Sequence, residues 1–166
     1  GGEFARNISL ESGIAVISHA HSSLFLNEFD GERTVDIYKK NAFGSWEFFQ
    51  KLVSSVPDDS FGFGDNIAIS NNNKNTILVS DRGTTTDDGR FNVALVFIYE
   101  KNNLGEWEEI QKIHPAVGET SWYDSRFLNR KLPIAIDGDT LVIGSLGEEY
   151  KGDRLGAILI YKKNNQ

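Results

Sequence analysis

The sequence contains no cysteine, and this absence excludes several kinds of site at once. Without thiols there is no disulfide scaffold, no thiolate zinc site and no cysteine nucleophile. Positive charge is also scarce, since 17 Lys and Arg stand against 24 Asp and Glu and give a formal charge of −7. A nucleic-acid partner needs a basic face to meet its phosphates, so none is expected. No apolar run approaches the length of a membrane span, so membrane insertion is not expected either.

Motifs of the common catalytic machineries are missing as well. The sequence has no nucleophile elbow, no phosphate-binding loop and no metalloprotease motif. Its acidic clusters lie in loops of differing length, so no spacing places two carboxylates across a glycosidic bond, as hydrolysis requires. We therefore predict a protein that is not an enzyme, and a polysaccharide-acting hydrolase or lyase is the less favoured alternative.

What the sequence does have is an internal repeat. Residues 37–52 read IYKKNAFGSWEFFQKL and residues 98–113 read IYEKNNLGEWEEIQKI, with nine of sixteen positions identical. A third copy begins as IYKKNNQ at residues 160–166, and the copies start 61 and 62 residues apart. Identity at this level with a constant period indicates duplication of one structural unit.

Each unit is predicted to hold four short β-strands. Two apolar runs flank a small polar turn, as in IAIDGDTLVIGS at residues 134–145, and a variable polar loop leads to a third apolar run. A Lys/Asn turn follows, with Gly44 or Gly105 suited to positive φ, and the fourth run opens with Trp46 or Trp107. No stretch has the length and period of a helix.

Four strands in a unit of about 60 residues fit one blade of a β-propeller better than one coil of a β-helix. The predicted fold is therefore all-β, with blades of four antiparallel strands in a single propeller segment over residues 1–166. The units span approximately residues 4–57, 63–115 and 130–166, and the third lacks its fourth strand. Five aromatic residues at equivalent positions are predicted to be structural, with the tryptophans wedged between blades: Tyr38, Trp46, Tyr99, Trp107 and Tyr161.

The motifs of the units resemble a known family. FGDNIAI at residues 63–69, IAIDGDTLVIGS and GAILIYKKN at residues 156–164 are similar to the FG-GAP repeat of integrin-alpha-type β-propellers. The first copy reads FARNISL and the third has Arg130 in the place of the expected Phe, so both depart from the pattern. The resemblance implies an extracellular or cell-surface propeller used for adhesion or ligand binding.

Repeats of this family often carry an acidic calcium loop between their first two strands, and this chain lacks the required run of acids there. Ca²⁺ prefers about six to eight oxygen ligands, and the best alternative set is Asp81, Asp87 and Asp88, beyond the second strand of the second unit. A solvated acidic loop is the competing interpretation, and no other cofactor is expected. His19 and His21 have a spacing found in metal sites, but no third ligand is evident.

The connection between the second and third units interrupts the repeat with ETSWYDSRF at residues 119–127. Its candidate ligand-binding residues are Trp122, Tyr123, Asp124 and Arg126, because an exposed aromatic pair can stack on a sugar or anchor a protein. The alternative is that the pair fills a gap between blades. A second apolar loop, with Phe25, Leu26 and Phe29, suits an interface. We predict an adhesion or protein-interaction module, with a carbohydrate-binding, lectin-like propeller as the alternative.

Propellers close with about four to eight blades, so three units cannot close a ring. Left open, the terminal blades would expose apolar faces and strand edges. We expect either the remainder of a longer propeller or a homo-oligomer, for example two protomers that give six blades around a two-fold axis. A neighbouring chain can also supply the missing fourth strand by strand addition.

Overall fold

The structure is a computed structural model that describes residues 3–20, 33–56, 62–70, 75–84, 93–114, 132–145, 149–150, 153–154 and 157–163. Every regular element in these ranges is a β-strand, which confirms the all-β prediction there. Sheet 1 contains β1 (Glu3–Glu11), β2 (Ile14–Ala20), β3 (Arg33–Lys40) and β4 (Trp46–Val53). Sheet 2 contains β5 (Asn66–Ser70), β6 (Thr76–Thr84), β7 (Val93–Lys101) and β8 (Trp107–Ile113).

The third unit forms a smaller sheet. Sheet 3 contains β9 (Ile134–Asp137), β10 (Thr140–Ser145) and β13 (Ala157–Lys162), and a separate hairpin pairs β11 (Glu149–Tyr150) with β12 (Asp153–Arg154). All strand pairs are antiparallel, and sheets 1 and 2 have the simple order in which each strand lies beside its successor. The described residues thus form three antiparallel sheets of three or four strands, and no closed ring is present among them.

An asparagine side chain organises the turn between the third and fourth strands. Asn41 Oδ1 accepts hydrogen bonds from two backbone N–H groups of the turn at 2.9 and 3.0 Å, and Asn41 Nδ2 donates to Glu47 Oε1 at 2.7 Å. Gly44 has φ of 85°, where a side chain would be strained. The turn in sheet 2 repeats all three bonds around Asn102, at 2.9, 3.0 and 2.6 Å. Turn chemistry therefore explains why Asn, Gly and Glu are identical in the two copies.

The three sheets stack face to face in the order of the chain. One buried cluster joins sheet 1 to sheet 2 and consists of Ile14, Val16, Val35, Ile37, Leu52, Phe63, Ile69, Ile77, Val79, Leu95, Phe97, Tyr99 and Trp107. A second joins sheet 2 to sheet 3 and consists of Leu78, Val96, Leu132, Leu141 and Ile143, with partly buried neighbours that include Ile98, Ile113, Leu159 and Tyr161. Both faces of sheet 2 are therefore covered, as the continuous apolar run of β7 requires.

The two interfaces use equivalent positions of the units. The repeated tyrosines Tyr38, Tyr99 and Tyr161 set the correspondence. They pair with Ala15, Ile77 and Leu141, so these three residues are equivalent. On this basis Val16 in sheet 1 corresponds to Leu78 in sheet 2, and both face the following sheet. Ile77 corresponds to Leu141, and both face the preceding sheet. Sheet 2 packs on sheet 1 in the same way as sheet 3 packs on sheet 2.

Asparagines on the first strands reinforce this stacking. Asn7 Nδ2 donates to the backbone carbonyl of Asp65 at 2.5 Å, which connects sheet 1 to sheet 2. Asn66, at the equivalent position, donates to the carbonyl of Leu132 at 2.9 Å and connects sheet 2 to sheet 3. Each bond satisfies a carbonyl at the point where the next sheet begins, so the same polar contact fixes the offset between consecutive sheets.

The third unit replaces both members of a pair that the first two units share. The backbone N–H of Asn7 donates to Ser18 Oγ at 3.0 Å, and that of Asn66 donates to Ser80 Oγ at 2.9 Å. In the third unit the equivalent residues are Pro133, which has no N–H, and Gly144, which has no side chain. A Cβ at Gly144 would lie 2.9 Å from Pro133 Cγ, closer than real contacts allow. The donor and the hydroxyl acceptor have been lost together, and the proline ring occupies the vacated space.

Substitution of Gly144 by Ser is therefore expected to destabilise the protein. The new side chain must displace the Pro133 ring, which is overpacking of the kind that costs about 1–3 kcal/mol of unfolding free energy. Urea unfolding followed by circular dichroism measures the difference. The double variant P133N/G144S recreates the pair of the other two units and is expected to recover most of the loss. A single variant as stable as the parent would contradict the steric explanation.

Candidate binding site

Trp107 lies at the interface of sheets 1 and 2, where it is 2% exposed. Its Nε1–H donates to the backbone carbonyl of Asn75 at 2.8 Å, and its ring meets Phe49 edge to face at 5.8 Å between centroids. The Nζ atoms of Lys39 and Lys101 lie 5.2 and 4.5 Å from its ring centroid, within the range of cation–π attraction. Burial, followed by the charge of Lys101, lowers the pKa of Lys39. Trp107 thus lies between sheets 1 and 2.

The backbone of Trp107 is bound by a side chain of the preceding sheet. Gln50 Nε2 donates to the Trp107 carbonyl at 2.8 Å, and Gln50 Oε1 accepts from the Trp107 N–H at 2.8 Å. A glutamine amide matches a backbone amide donor for acceptor, so the two bonds hold the first residue of β8 against β4. Gln50 is identical to Gln111 in the repeat, and the structure gives the physical reason for glutamine at this position.

Tyr99 completes the interface between sheets 1 and 2. Its ring is buried, and its hydroxyl donates to the carbonyl of Val53 at 3.3 Å. Burial raises the pKa of the Tyr99 phenol well above its ordinary value, and the negative charge of Glu109 adds to the effect. At neutral pH the phenol is therefore protonated and can donate its hydrogen bond.

The other repeat aromatics have less complete surroundings. Trp46 is 44% exposed, although it occupies the position of the buried Trp107. The difference arises because, in the described ranges, no sheet precedes sheet 1. Tyr38 packs edge to face on Phe48 at 5.8 Å, and Tyr161 packs against the cluster between sheets 2 and 3. Burial of these positions depends on the neighbouring sheet and not on the unit alone.

The candidate calcium ligands are only partly described. Asp81 is fully buried in β6, whereas Asp87 and Asp88 lie outside the described residues. Among the residues that the structure describes, no three of His, Cys, Asp and Glu are placed to hold a metal ion. His19, the described member of the histidine pair, lies 3.1 Å from Asp36 Oδ2 through its Nε2 atom. His21 lies outside the described residues.

The loop candidates also lie outside the described residues. These are the ligand-binding set Trp122, Tyr123, Asp124 and Arg126 and the apolar set Phe25, Leu26 and Phe29. Their assignment as binding residues remains a prediction from the sequence.

A buried carboxylate that sequence reasoning missed lies where sheet 2 begins. Asp65 is fully buried, and its Oδ1 lies 3.2 Å from Arg6 Nη1 and 3.8 Å from Arg33 Nη1. Both arginines belong to sheet 1, so the charges pair across the interface of sheets 1 and 2. A buried carboxylate requires such partners. The sequence signal is weak, because the arginines are distant along the chain and follow no repeat.

A cavity of about 150 Å³ opens between sheets 2 and 3. Its walls come from β6, β7 and β8 on one side and from β9, β10, β13 and the β9–β10 turn on the other. Its lining includes Glu100, Ile110, Gln111, Asp139, Tyr161 and Lys163. Glu100 and Lys163 form an ion pair across it. The remaining wall is largely apolar, so this inter-sheet cavity can hold an aromatic ring with a few polar groups at its rim.

Comparison with models of known protein families, with curated proteins and with solved structures finds no match for this chain. No helix that could cross a membrane occurs in the part of the chain that the structure describes.

Replacement of Gln50 by Leu tests the polar contact between sheets 1 and 2. The variant leaves the buried backbone N–H of Trp107 without its acceptor, and a loss of about 1–3 kcal/mol in unfolding free energy is expected. Gln111→Leu is the matched control, since the equivalent side chain is exposed at the inter-sheet cavity. It should change stability by no more than about 0.5 kcal/mol. Equal losses in the two variants would contradict the role assigned to Gln50.

Alkaline titration tests the environment of Tyr99. Because its pKa in the folded protein is raised above that of the unfolded chain, the stability it contributes is present below pH of about 10 and declines as the pH rises further. Tyrosinate absorbance is expected to show one tyrosine that ionises only when the protein unfolds. Tyr99→Phe keeps the ring and should abolish that delayed component. A delayed component that persists in this variant would assign it to another tyrosine.

Proposed function

We propose that this chain is a non-catalytic binding segment of an FG-GAP-type β-propeller, displayed outside the cell, in which the stacked sheets are the scaffold and the variable loops contact the ligand. The observation that carries the proposal is that both end faces of the stack repeat the chemistry of the internal interfaces. A propeller is the architecture in which such a series of equivalent interfaces ends without an exposed face.

The end face of sheet 3 carries exposed isoleucines. Ile158 is 72% exposed and Ile160 is 69% exposed. Their equivalents in sheet 1, Val35 and Ile37, are fully buried against sheet 2. Burial of an isoleucine contributes about 1.5–3 kcal/mol, so a further sheet on this face would recover a substantial free energy.

The end face of sheet 1 supplies the complementary half. Ile8 and Leu10 on β1 are exposed, while their equivalents on β5, Ile67 and Ile69, pack into the cluster between sheets 1 and 2. Exposed Trp46 lies in the same sheet at the position where Trp107 is covered. The end face of sheet 1 therefore has the composition of a surface that receives a preceding sheet.

These two end faces fit a second copy of the chain. If sheet 3 of each protomer packs on sheet 1 of the other, the contact occurs twice around a two-fold axis and a ring of six sheets closes. The interface would continue the packing already present within the chain, and both apolar end faces would be buried. Additional sheets of a longer propeller would satisfy the same requirement.

Sedimentation of the chain over a concentration series tests the closure. A dimer is expected, and Ile160→Lys should shift it to monomer because a charge would be buried in the new interface. Leu104→Lys is the control, because Leu104 is exposed in the β7–β8 turn, away from both end faces. A folded parent chain that remains monomeric at every concentration would contradict closure by a second copy.

Ligand binding is tested on arrays of glycans and of extracellular proteins. The proposed adhesion module binds a protein, and Trp122→Ala in the interrupting loop is expected to weaken that binding at least tenfold, as loss of an aromatic anchor does. Asn103→Ala, in the β7–β8 turn, is the control. Strong glycan binding that is lost with Trp122→Ala would instead establish the lectin-like alternative. Hydrolysis of a polysaccharide panel would overturn both.

A further inference from the structure

We propose that the inter-sheet cavity is an acceptor site for an unpaired, extended peptide that carries a tryptophan, which joins sheet 3 as its fourth strand. The observation is that the cavity walls are the equivalents of the residues that hold Trp107 between sheets 1 and 2.

Two groups of sheet 1 that contact Trp107 have equivalents in the cavity wall. Phe49, which meets the Trp107 ring, corresponds to Ile110, because each is the extra residue of an equivalent bulge opposite the third strand. Gln50, which binds the Trp107 backbone, corresponds to Gln111. Both Ile110 and Gln111 line the cavity.

The wall contributed by sheet 3 corresponds in the same way. Asn75, whose carbonyl accepts from the Trp107 indole, lies at the position of Asp139, since each precedes the second strand of its sheet. Lys101, whose ammonium lies over the indole, corresponds to Lys163. Asp139 and Lys163 are cavity residues, and the Lys163 N–H donates to the Asp139 carbonyl at 2.9 Å. The cavity therefore offers a backbone carbonyl for the indole N–H, a lysine ammonium and a glutamine amide, in the arrangement that holds Trp107.

Sheet 3 also offers the backbone edge that the peptide needs. β3 and β7 each pair on both sides, with β4 and β8 as their outer neighbours. β13 is their equivalent and pairs only with β10 in the described part of the chain. Its outer edge can accept an antiparallel strand by main-chain hydrogen bonds, while the cavity beneath selects the side chain.

β4 and β8 of a second folded copy do not provide this strand. The two Trp-led strands of the described residues, β4 and β8, are already paired within their own sheets. The occupant is therefore an extended segment that has no partner strand of its own. Its recognisable pattern is that of β8, in which Gly-Glu precedes Trp-Glu and a glutamine follows in the same strand.

Charge at the rim distinguishes this site from the internal one. At Trp107, two lysines flank the indole, whereas the cavity has Glu100 in the place of Lys39 and pairs it with Lys163. The Glu100–Lys163 pair neutralises the rim, so an incoming tryptophan meets no uncompensated charge. Tyr161, the equivalent of the buried Tyr99, forms part of the wall.

A synthetic peptide with the sequence of residues 105–114 is the probe. Calorimetric titration into the full chain is expected to show saturable binding of one peptide per chain. The same peptide with alanine in place of tryptophan should bind at least tenfold more weakly, because the cavity would stay unfilled. Equal affinity of the two peptides, or absence of binding by the tryptophan peptide, would overturn the proposal.

Two variants of the protein locate the bound peptide. Gln111→Ala removes the amide partner and is expected to weaken binding about tenfold, equivalent to about 1.4 kcal/mol. Leu104→Ala, on the exposed β7–β8 turn, should leave the affinity unchanged. Amides of β13 should gain protection from hydrogen exchange when the peptide binds. Binding that ignores Gln111→Ala, or that leaves β13 unprotected, would show that the peptide is held elsewhere.

Discussion

Burial of both faces of sheet 2 is the constraint on which the rest of the structure depends. β6 and β7 are apolar on both sides, so sheet 2 alone would leave two hydrophobic surfaces in water. Sheets 1 and 3 cover those surfaces through interfaces that use the same positions. Each covering sheet has a second apolar face in turn, so coverage of one sheet creates the need to cover the next. Each end of the three-sheet stack therefore carries an apolar face that no described sheet covers.

Polar contacts fix the geometry that apolar packing alone leaves free. Hydrophobic burial is non-directional, whereas the Gln50 amide and the Asn7 and Asn66 side chains each demand one alignment of neighbouring sheets. The pairing of Asp65 with Arg6 and Arg33 adds a charged contact at the same boundary. Gln50 recurs as Gln111, Asn7 and Asn66 are equivalent to each other, and Asp65 lies where sheet 2 begins. They give the stack a repeated offset as well as a repeated composition.

Local features of the fold could be predicted from the sequence, and contacts between sheets could not. Gly44 and Trp46 predict a turn and the start of a strand from residues that are close together in the sequence. Gly105 and Trp107 repeat the same pattern and support the same prediction. The Trp107 backbone that binds Gln50 lies in the next sheet. The identity of Gln50 and Gln111 in the repeat therefore marked the position without indicating this contact. Asp65 was hidden for the same reason, since its arginines are remote along the chain. The loop candidate Trp122 falls outside the described residues, so the ligand-binding assignment still rests on composition.

The asparagine-centred turns bear on how the chain folds. Each one closes a hairpin with hydrogen bonds between residues at most six positions apart, so the entropy lost in forming it is small. Hairpins of this kind form on the microsecond scale, well before pairings between remote strands. Both copies carry the same nucleus, and each unit can therefore begin to order itself without waiting for the other. The repeat thus duplicates a folding start site as well as a structure, and the slow event becomes the docking of one preformed sheet on the next.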